Sequence, residues 1–381
     1  MRFLQRFKKW FVMALAMMIH TTSVFAQSEA LKFNMPLGAT PVSQGIYDLH
    51  MLAFWVCVGI AVVVFSILFY SIIMHRKSRG AVAAEFHDHL GIEITWAIIP
   101  LVLLIIMAVP ATKLLIKMED TRDAAVNIQV TGYQWKWKYD YLDQGISFFS
   151  NLSTPLDEIH NKITKNPHYL LQVDNPIVVP IHQKIRFLIT ANDVIHSWWV
   201  PELGIKADGI PGFIHEVWTQ IEKPGVYRGV CAELCGTNHA YMPIVVIAKT
   251  PEEFAQWIKE KSAGKATFNA VASANKLSKD ELMKKGSSVY ASQCALCHKA
   301  EGSGTPGVFP AITGSKIATG NIKEHMAIIV NGGKPGSAMQ AFGTQLSDEE
   351  LAAVITYQRN ALGNQVGDLV QPKDIKAFKN K

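Results

Sequence analysis

Four residues within a twelve-residue stretch carry side chains that bind soft metal ions. They are Cys231, Cys235, His239 and Met242, and a further histidine, His196, lies 35 residues before Cys231. Thiolate, imidazole and thioether groups together form a ligand set that selects copper. A mononuclear blue-copper site uses one cysteine, whereas two thiolates can each bridge two metal ions and leave one histidine per ion. The spacing therefore predicts a binuclear copper centre suited to electron transfer.

The same region offers no evident open ligand position and no general base, which argues against chemistry on a substrate. A small disulfide between Cys231 and Cys235 remains an alternative, and so does a zinc site, although structural zinc sites rarely recruit methionine. His215, in the same region, is expected to be a surface or packing histidine.

A second group of reactive residues lies nearer the C-terminus, in the sequence Cys294-Ala-Leu-Cys297-His298. Two thiols at this spacing can form thioethers to a haem, with the adjacent histidine beneath the iron. Met339 lies in a downstream loop and is the predicted second axial ligand; Met326 competes but is expected to pack in a helix. His/Met ligation raises the potential of a haem, which suits electron transfer. A thiol redox pair and half a zinc site remain alternatives for this motif.

Two long apolar segments predict membrane-spanning helices. Residues 51–74 and 94–112 form runs of 24 and 19 uncharged positions, and each run is long enough to cross a bilayer. The loop between them carries Arg76, Lys77 and Arg79. The positive-inside rule therefore predicts a cytoplasmic loop, with both termini and the soluble parts on the outer side.

The first 26 residues resemble a secretory signal, with a basic start, an apolar centre and small residues at the expected cleavage position. The formal net charge of +6 includes four basic residues among the first ten. Since the remaining basic residues form no clustered face, the composition does not favour nucleic-acid binding.

The region between the second apolar run and the haem motif has the pattern of a β-protein. Short alternating segments at 126–130, 185–189 and 226–230 are separated by turn residues, and 244–247 is a short apolar run. Such spacing predicts a β-sandwich or barrel. Residues 144–170 are polar without a clear period and are predicted to form a long surface excursion.

These residues resemble a known family. The set formed by His196, Cys231, Glu233, Cys235, His239 and Met242 looks like the CuA site of cytochrome c oxidase subunit II, which has a cupredoxin barrel behind a two-helix membrane hairpin. The tail resembles a class I cytochrome c, as in a caa3-like arrangement. The resemblance implies a multidomain fold: a two-helix transmembrane hairpin, an all-β cupredoxin-like barrel and an all-α cytochrome c domain.

The resemblance also implies roles for single residues. The backbone carbonyl of Glu233 would ligate one copper, and its carboxylate would face a Mg2+ ion shared with subunit I. Trp135 matches the electron-entry tryptophan, although an ordinary aromatic strand is the alternative. Glu93 matches the glutamate near the mouth of the K proton pathway, although a solvated helix cap is the alternative. The sequence departs from the family at Phe213, where arginine is common, and at Gln340, where proline often follows the ligand methionine.

The predicted domain boundaries follow from these patterns. They are a signal peptide at 1–26, an N-terminal segment and hairpin at 27–117 (helices about 49–74 and 92–113), a CuA domain at 118–261, a linker at 262–276 and a cytochrome c domain at 277–381.

The implied function is that of an electron-transfer subunit of a haem–copper terminal oxidase. Electrons from cytochrome c or another haem donor would pass through haem c and CuA to the haem of subunit I. The assembled enzyme would reduce dioxygen to water and pump protons. The implied partners are subunit I, the other oxidase subunits and the lipid of a bacterial inner membrane. A copper-handling protein, a copper-free quinol oxidase subunit and nitrous oxide reductase are the rival hypotheses, each of which lacks part of this combination.

Overall fold

The computed structural model describes residues 34–83, 85, 87–271, 276–334 and 339–380. The predicted signal peptide, residues 1–26, lies outside the described residues. The described chain forms a helical hairpin, a barrel of two β-sheets and a helical C-terminal domain, which confirms the predicted fold class.

Two long apolar helices form the hairpin, α1 at Pro41–Met74 and α2 at Leu90–Glu119. Their most apolar windows have mean hydropathies of 2.8 and 2.5 with no buried residue, as expected for helices in contact with lipid. Both are longer than the predicted 49–74 and 92–113. α1 starts early because Thr40 and Ser43 form a capping box ahead of the apolar run.

The hairpin is fixed to the barrel by one hydrogen bond at the start of α1 and another at the end of α2. The Thr40 hydroxyl donates to the carbonyl of Leu203 at 3.1 Å. The indole of Trp218 donates to the carbonyl of Lys117, also at 3.1 Å. The barrel is therefore held directly against the outer end of the hairpin.

Ten strands form the barrel, in two five-stranded sheets of order β3-β2-β1-β5-β8 and β4-β10-β9-β6-β7. The strands are β1 Val126–Tyr133, β2 Lys136–Tyr141, β3 Ile146–Ser150, β4 Ile177–Pro180, β5 Lys184–Ala191, β6 His196–Val200, β7 Ile205–Gly209, β8 His215–Gln220, β9 Gly225–Cys231 and β10 Ile244–Lys249. Trp137, Trp198, Tyr139 and Phe187 are fully buried between the sheets. Large aromatic side chains thus dominate the core that supports the copper ligands.

The predicted excursion at 144–170 is partly wrong, because Ile146–Ser150 is strand β3. It pairs antiparallel with β2, with Trp137 opposite Ser150. Phe148 packs against Tyr139 and Tyr141, so the aromatic content of this short segment outweighs its polar neighbours. The irregular part is therefore residues 151–173, which contain one short helix, α3 at Leu156–Ile159, and which we call the excursion from here on.

The predicted linker at 262–276 also differs from the structure. Helix α4 begins at Pro251 and continues to Val271, so the first part of the predicted linker is helical. Alanine is frequent there and favours helix, which outweighs the single glycine at position 264.

The described residues of the C-terminal domain, 276–334 and 339–380, form six further helices. They are α5 Lys279–Gln293, α6 Ala295–His298, α7 Lys316–Thr319, α8 Ile322–Asn331, α9 Asp348–Asn360 and α10 Pro372–Lys379. Capping boxes at Ser278 and Ser347 start α5 and α9. These two helices pack closely at Gly286, where an added Cβ would overlap the carbonyl oxygen of Ala353 and lie 2.6 Å from Cβ of Tyr357.

We expect Gly286→Ala to destabilise the C-terminal domain. Overpacking of a close contact costs about 1–3 kcal/mol, which exceeds the roughly 0.5–1 kcal/mol that alanine contributes in a helix. The free energy of unfolding, measured by denaturant titration, should fall accordingly. Ser288→Ala, at an exposed position of the same helix, is the control and should leave it unchanged. Equal stability of Gly286→Ala and the parent chain would contradict this packing.

Candidate functional site

Strand pairing brings the copper-binding candidates together. Cys231 is the last residue of β9, and β9 pairs with β6 so that Trp198 lies opposite Cys231. His196 is the first residue of β6. The loop after β9 then carries Cys235, His239 and Met242 back past Cys231 before β10 begins.

The distances between the candidate ligand atoms fit a metal pair. The two Sγ atoms of Cys231 and Cys235 lie 3.9 Å apart. Nδ1 of His196 lies 3.9 Å from Sγ of Cys231, and Nδ1 of His239 lies 3.5 Å from Sγ of Cys235. Each sulfur therefore has one imidazole beside it.

Two weaker donors complete the group. The backbone carbonyl oxygen of Glu233 lies 3.4 Å from Sγ of Cys231, and Sδ of Met242 lies 3.5 Å from Sγ of Cys235. All six predicted ligand residues thus converge at one place. A disulfide needs sulfurs about 2.05 Å apart, and both cysteines are free. The set of two thiols, two imidazoles, one thioether and one carbonyl fits two soft metal ions better than one zinc ion.

The protein holds these ligands ready for a metal. Nε2 of His196 lies 2.8 Å from a carboxylate oxygen of Asp193, an outer hydrogen bond that orients the ring with Nδ1 towards the sulfur. The hydrogen bond between the two thiols lowers the pKa of Cys231 and raises the pKa of Cys235. The pair therefore shares one proton without a metal, and a bound cation would displace it.

Trp135 connects the copper loop to the C-terminal domain. Its indole nitrogen donates to the carbonyl of Cys235 at 3.2 Å. Its ring meets the ring of Phe309 edge-on, with centroids 6.2 Å apart. Asn238, in the copper loop, also donates to Sγ of Cys297 at 3.7 Å. The predicted copper and haem residues are therefore in contact across one interface.

The predicted haem residues line a single cavity of about 410 Å3. Cys294 lies at the end of α5, while Cys297 and His298 lie in α6. Met339 lines the same cavity, whereas Met326 is buried in the core of the C-terminal domain, as predicted. The cavity falls within the usual size of cofactor sites, about 300–1,000 Å3.

His298 is oriented as an axial ligand would be. Its Nδ1 donates to the carbonyl oxygen of Pro310 at 2.8 Å, which leaves Nε2 free to bind a metal. Burial lowers the pKa of His298, so the ring is held neutral. Burial also raises the pKa of Cys294 to about 12 and that of Cys297 to about 11. A thiol redox pair needs a lowered pKa, so these thiols fit covalent haem attachment better.

Two buried residues that line the cavity, His325 and Gln358, were not predicted from the sequence to lie near the haem motif. Nε2 of His325 lies 2.9 Å from Oε1 of Gln358, whose amide in turn donates to Sγ of Cys294 at 3.8 Å. They lie in apolar helical patterns, and only the tertiary fold brings them to the haem residues.

Glu93 and Glu233 do not join a cluster of metal-ligating side chains among the described residues. Glu93 lies half-buried in the first turn of α2, and the side chain of Glu233 is exposed on the copper loop. The roles predicted for these two residues, in a proton pathway and at a Mg2+ ion, both involve subunit I and remain predictions.

Three known families match successive parts of the chain. Residues 28–114 match the transmembrane domain of cytochrome c oxidase subunit II, and residues 126–249 match the periplasmic domain of the same subunit. Residues 281–357 match a family described as cytochrome c oxidase, cbb3-type, subunit III. These matches confirm the predicted order of hairpin, barrel and cytochrome c domain.

Individual proteins are similar to parts of this chain. A probable cytochrome c oxidase subunit 2 of Rickettsia bellii is 36% identical over 258 residues, which are 67% of this chain and 94% of that protein. The mitochondrial subunit 2 of Vigna unguiculata is 39% identical, over 58% of this chain and 60% of its own length. A crystal structure of the periplasmic domain of subunit II (CoxB) of Bradyrhizobium japonicum is 38% identical, with a TM-score of 0.34, and covers 38% of this chain and 98% of that one.

The copper-site geometry and these relatives lead to one conclusion. The chain belongs to the cytochrome c oxidase subunit II family, the electron-transfer subunits of haem–copper terminal oxidases, and it carries a cytochrome c domain behind its copper-site barrel.

Proposed function

We propose that this chain carries electrons from an external haem donor, such as cytochrome c, to the haem of subunit I through two resident cofactors. The copper ligands would be His196, Cys231, Glu233, Cys235, His239 and Met242. The haem would be attached to Cys294 and Cys297, with His298 and Met339 on its iron. Bound copper and haem would each supply a one-electron centre, and dioxygen would be reduced in subunit I.

One observation supports the copper assignment above all others. Two free thiol sulfurs lie 3.9 Å apart, and each has an imidazole nitrogen within 3.9 Å. Two thiolates and two imidazoles alone would also suit a four-coordinate zinc ion. The thioether of Met242 and the carbonyl of Glu233 bring the donors to six, a number that would suit two copper ions better. The weak donors Met242 and Glu233 would then adjust the potential of the pair.

Trp135 is the proposed residue between the two cofactors. It donates a hydrogen bond to the carbonyl of Cys235, a copper ligand, and its ring contacts Phe309 on the wall of the haem cavity. Covalent bonds and short contacts thus run from one site to the other.

The copper loop is also the proposed contact with subunit I. Glu233 is exposed beside Leu234, whose side chain is 79% exposed, although apolar residues of that size are usually covered. A Mg2+ ion held by the Glu233 carboxylate and by subunit I would neutralise that charge at the interface. The other oxidase subunits would surround α1 and α2, which present apolar surfaces throughout.

Glu93 is the proposed proton-pathway residue of this subunit. It lies in the first turn of α2, next to the charged loop that the positive-inside rule places in the cytoplasm. A carboxylate there could collect protons for subunit I. The barrel and the cytochrome c domain would then lie on the opposite, periplasmic side of a bacterial inner membrane.

We expect Cys235→Ser to remove one copper ion of each pair, because a serine oxygen cannot replace a bridging thiolate. Even outer-shell partners of a metal ligand contribute about 10–100-fold in affinity, so oxidase turnover should fall by more than about 100-fold. The copper content per chain and the electron paramagnetic resonance spectrum of the assembled oxidase measure the loss. Cys57→Ser changes an exposed, free cysteine of α1 and is the matched control. Two copper ions in Cys235→Ser would disprove the bridging role.

A separate prediction concerns the haem. Met339→Leu should lower the midpoint potential of haem c, within the range of about 0.8 V that axial ligands command. Met326→Leu makes the same chemical change in the buried core and should leave the potential unchanged. A redox titration followed by optical absorbance measures both. If the midpoint potential changed in Met326→Leu and not in Met339→Leu, Met326 would be the axial ligand instead of Met339.

A further inference from the structure

The excursion at residues 151–173 contributes no side chain to the candidate copper site, but it contacts the C-terminal domain. We propose that it is a docking element, which fixes the cytochrome c domain over Trp135 and closes one side of the haem cavity. The identity of the cavity's ligand rests on the proposed function, whereas the docking rests on contacts between residues of this chain.

The haem cavity is built from two domains. Its cytochrome c wall includes Cys297, His298 and Met339, and the facing wall comes from the barrel side. The excursion contributes Leu152, Leu156 and Ile159, among other residues, to that facing wall. The cytochrome c domain by itself would therefore leave the cavity open to water on this side.

The two arms of the excursion are tied to each other and to the barrel. Leu152 forms a β-bridge with Val173, and the amide of Asn151 donates to the carboxylate of Asp174 at 2.8 Å. Arg228, on β9, donates to the carbonyl of Leu171 at 2.6 Å. The segment is therefore preorganised by the same strand that carries Cys231.

The tip of the excursion presents apolar side chains. The buried carboxylate of Glu158 accepts a hydrogen bond of 2.7 Å from the amide of Asn166, which holds α3 in place. Leu156 then packs against the hydrophobic core of the cytochrome c domain, and Ile159 is half-buried beside it. Burial of such side chains is the main source of affinity between domains.

Lys136 lies in the same interface, on β2. Its ammonium group lies between two aromatic rings, 4.8 Å from the centroid of Phe149 in the barrel and 4.7 Å from that of Phe342 in the cytochrome c domain. It also donates to Oε1 of Gln293 at 3.0 Å. Gln340, where related cytochromes commonly have proline, donates to the carbonyl of Gln134. These polar contacts set the orientation of the docked domain.

A covalent tether alone would not produce this arrangement. Linking two domains raises their effective concentration but leaves their orientation free, and domains of one chain move relative to each other unless the interface is large and apolar. The excursion adds apolar surface to the interface beside the contact of Trp135 with Phe309. Trp135 is consequently only 7% exposed, so an external donor would meet the cytochrome c domain instead of Trp135.

The test is hydroxyl-radical footprinting of the full chain in detergent. In Leu156→Ser/Ile159→Ser, oxidation of Trp135 relative to Trp199 should rise about tenfold or more, because loss of two half-buried apolar side chains shifts the docking equilibrium by at least that factor. Trp199 is 38% exposed and is the internal standard. The midpoint potential of haem c should fall as water enters the cavity. Leu156→Ala is a milder variant for the same measurement should the double variant not fold.

Ile163→Ser is the matched control, since Ile163 lies in the same excursion, is 52% exposed and does not line the cavity. It should leave both the oxidation of Trp135 and the haem potential at the parent values. Docking by the excursion is overturned if Trp135 stays protected in both test variants, or if Ile163→Ser exposes it equally. A chain that binds no haem or copper but keeps Trp135 protected would refute the proposed function and retain the docking.

Discussion

Two thiolates side by side repel each other, so a site that needs both must hold the sulfurs together, and the protein holds the two Sγ atoms 3.9 Å apart before any cation arrives. A flexible loop would let the sulfurs separate. Here Cys231 is fixed by strand β9, and His196 is fixed beside it by the pairing of β9 with β6. The aromatic core beneath these strands makes the positions rigid. The barrel thus holds the candidate copper ligands in a fixed arrangement, and this rigidity would keep the change in geometry on electron transfer small.

The same loop serves both the copper site and the interface with the cytochrome c domain. Asn238, the neighbour of His239, contacts Cys297, and the carbonyl of Cys235 accepts the hydrogen bond of Trp135. A shift of the docked domain would therefore be felt at the copper ligands. The helical hairpin holds the barrel at the membrane through Thr40 and Trp218. Membrane anchor, copper loop and haem domain form one connected arrangement, which suits an electron carrier that serves a single acceptor.

The sequence predicts which side chains converge at the candidate copper site, because most of them are concentrated in a short stretch and have few uses other than metal binding. It also predicts the membrane helices and most strands from local patterns. It misses β3, whose residues become a strand only by pairing with β2, and it misses the extension of α4 to Val271. It gives no sign of the interface, where Gln134 and Gln340 are 206 residues apart. Contacts of this kind leave no periodicity in either segment.

The central claim is that electrons enter through the cytochrome c domain and reach the copper pair from there. Rapid mixing of the fully oxidised, assembled oxidase with a reduced soluble cytochrome c, followed by optical absorbance, resolves the order of reduction. The account predicts that haem c is reduced first, the copper pair second and the haem of subunit I last. Reduction of the copper pair before haem c, or at an unchanged rate in a chain whose haem attachment is removed by Cys294→Ser/Cys297→Ser, would contradict it.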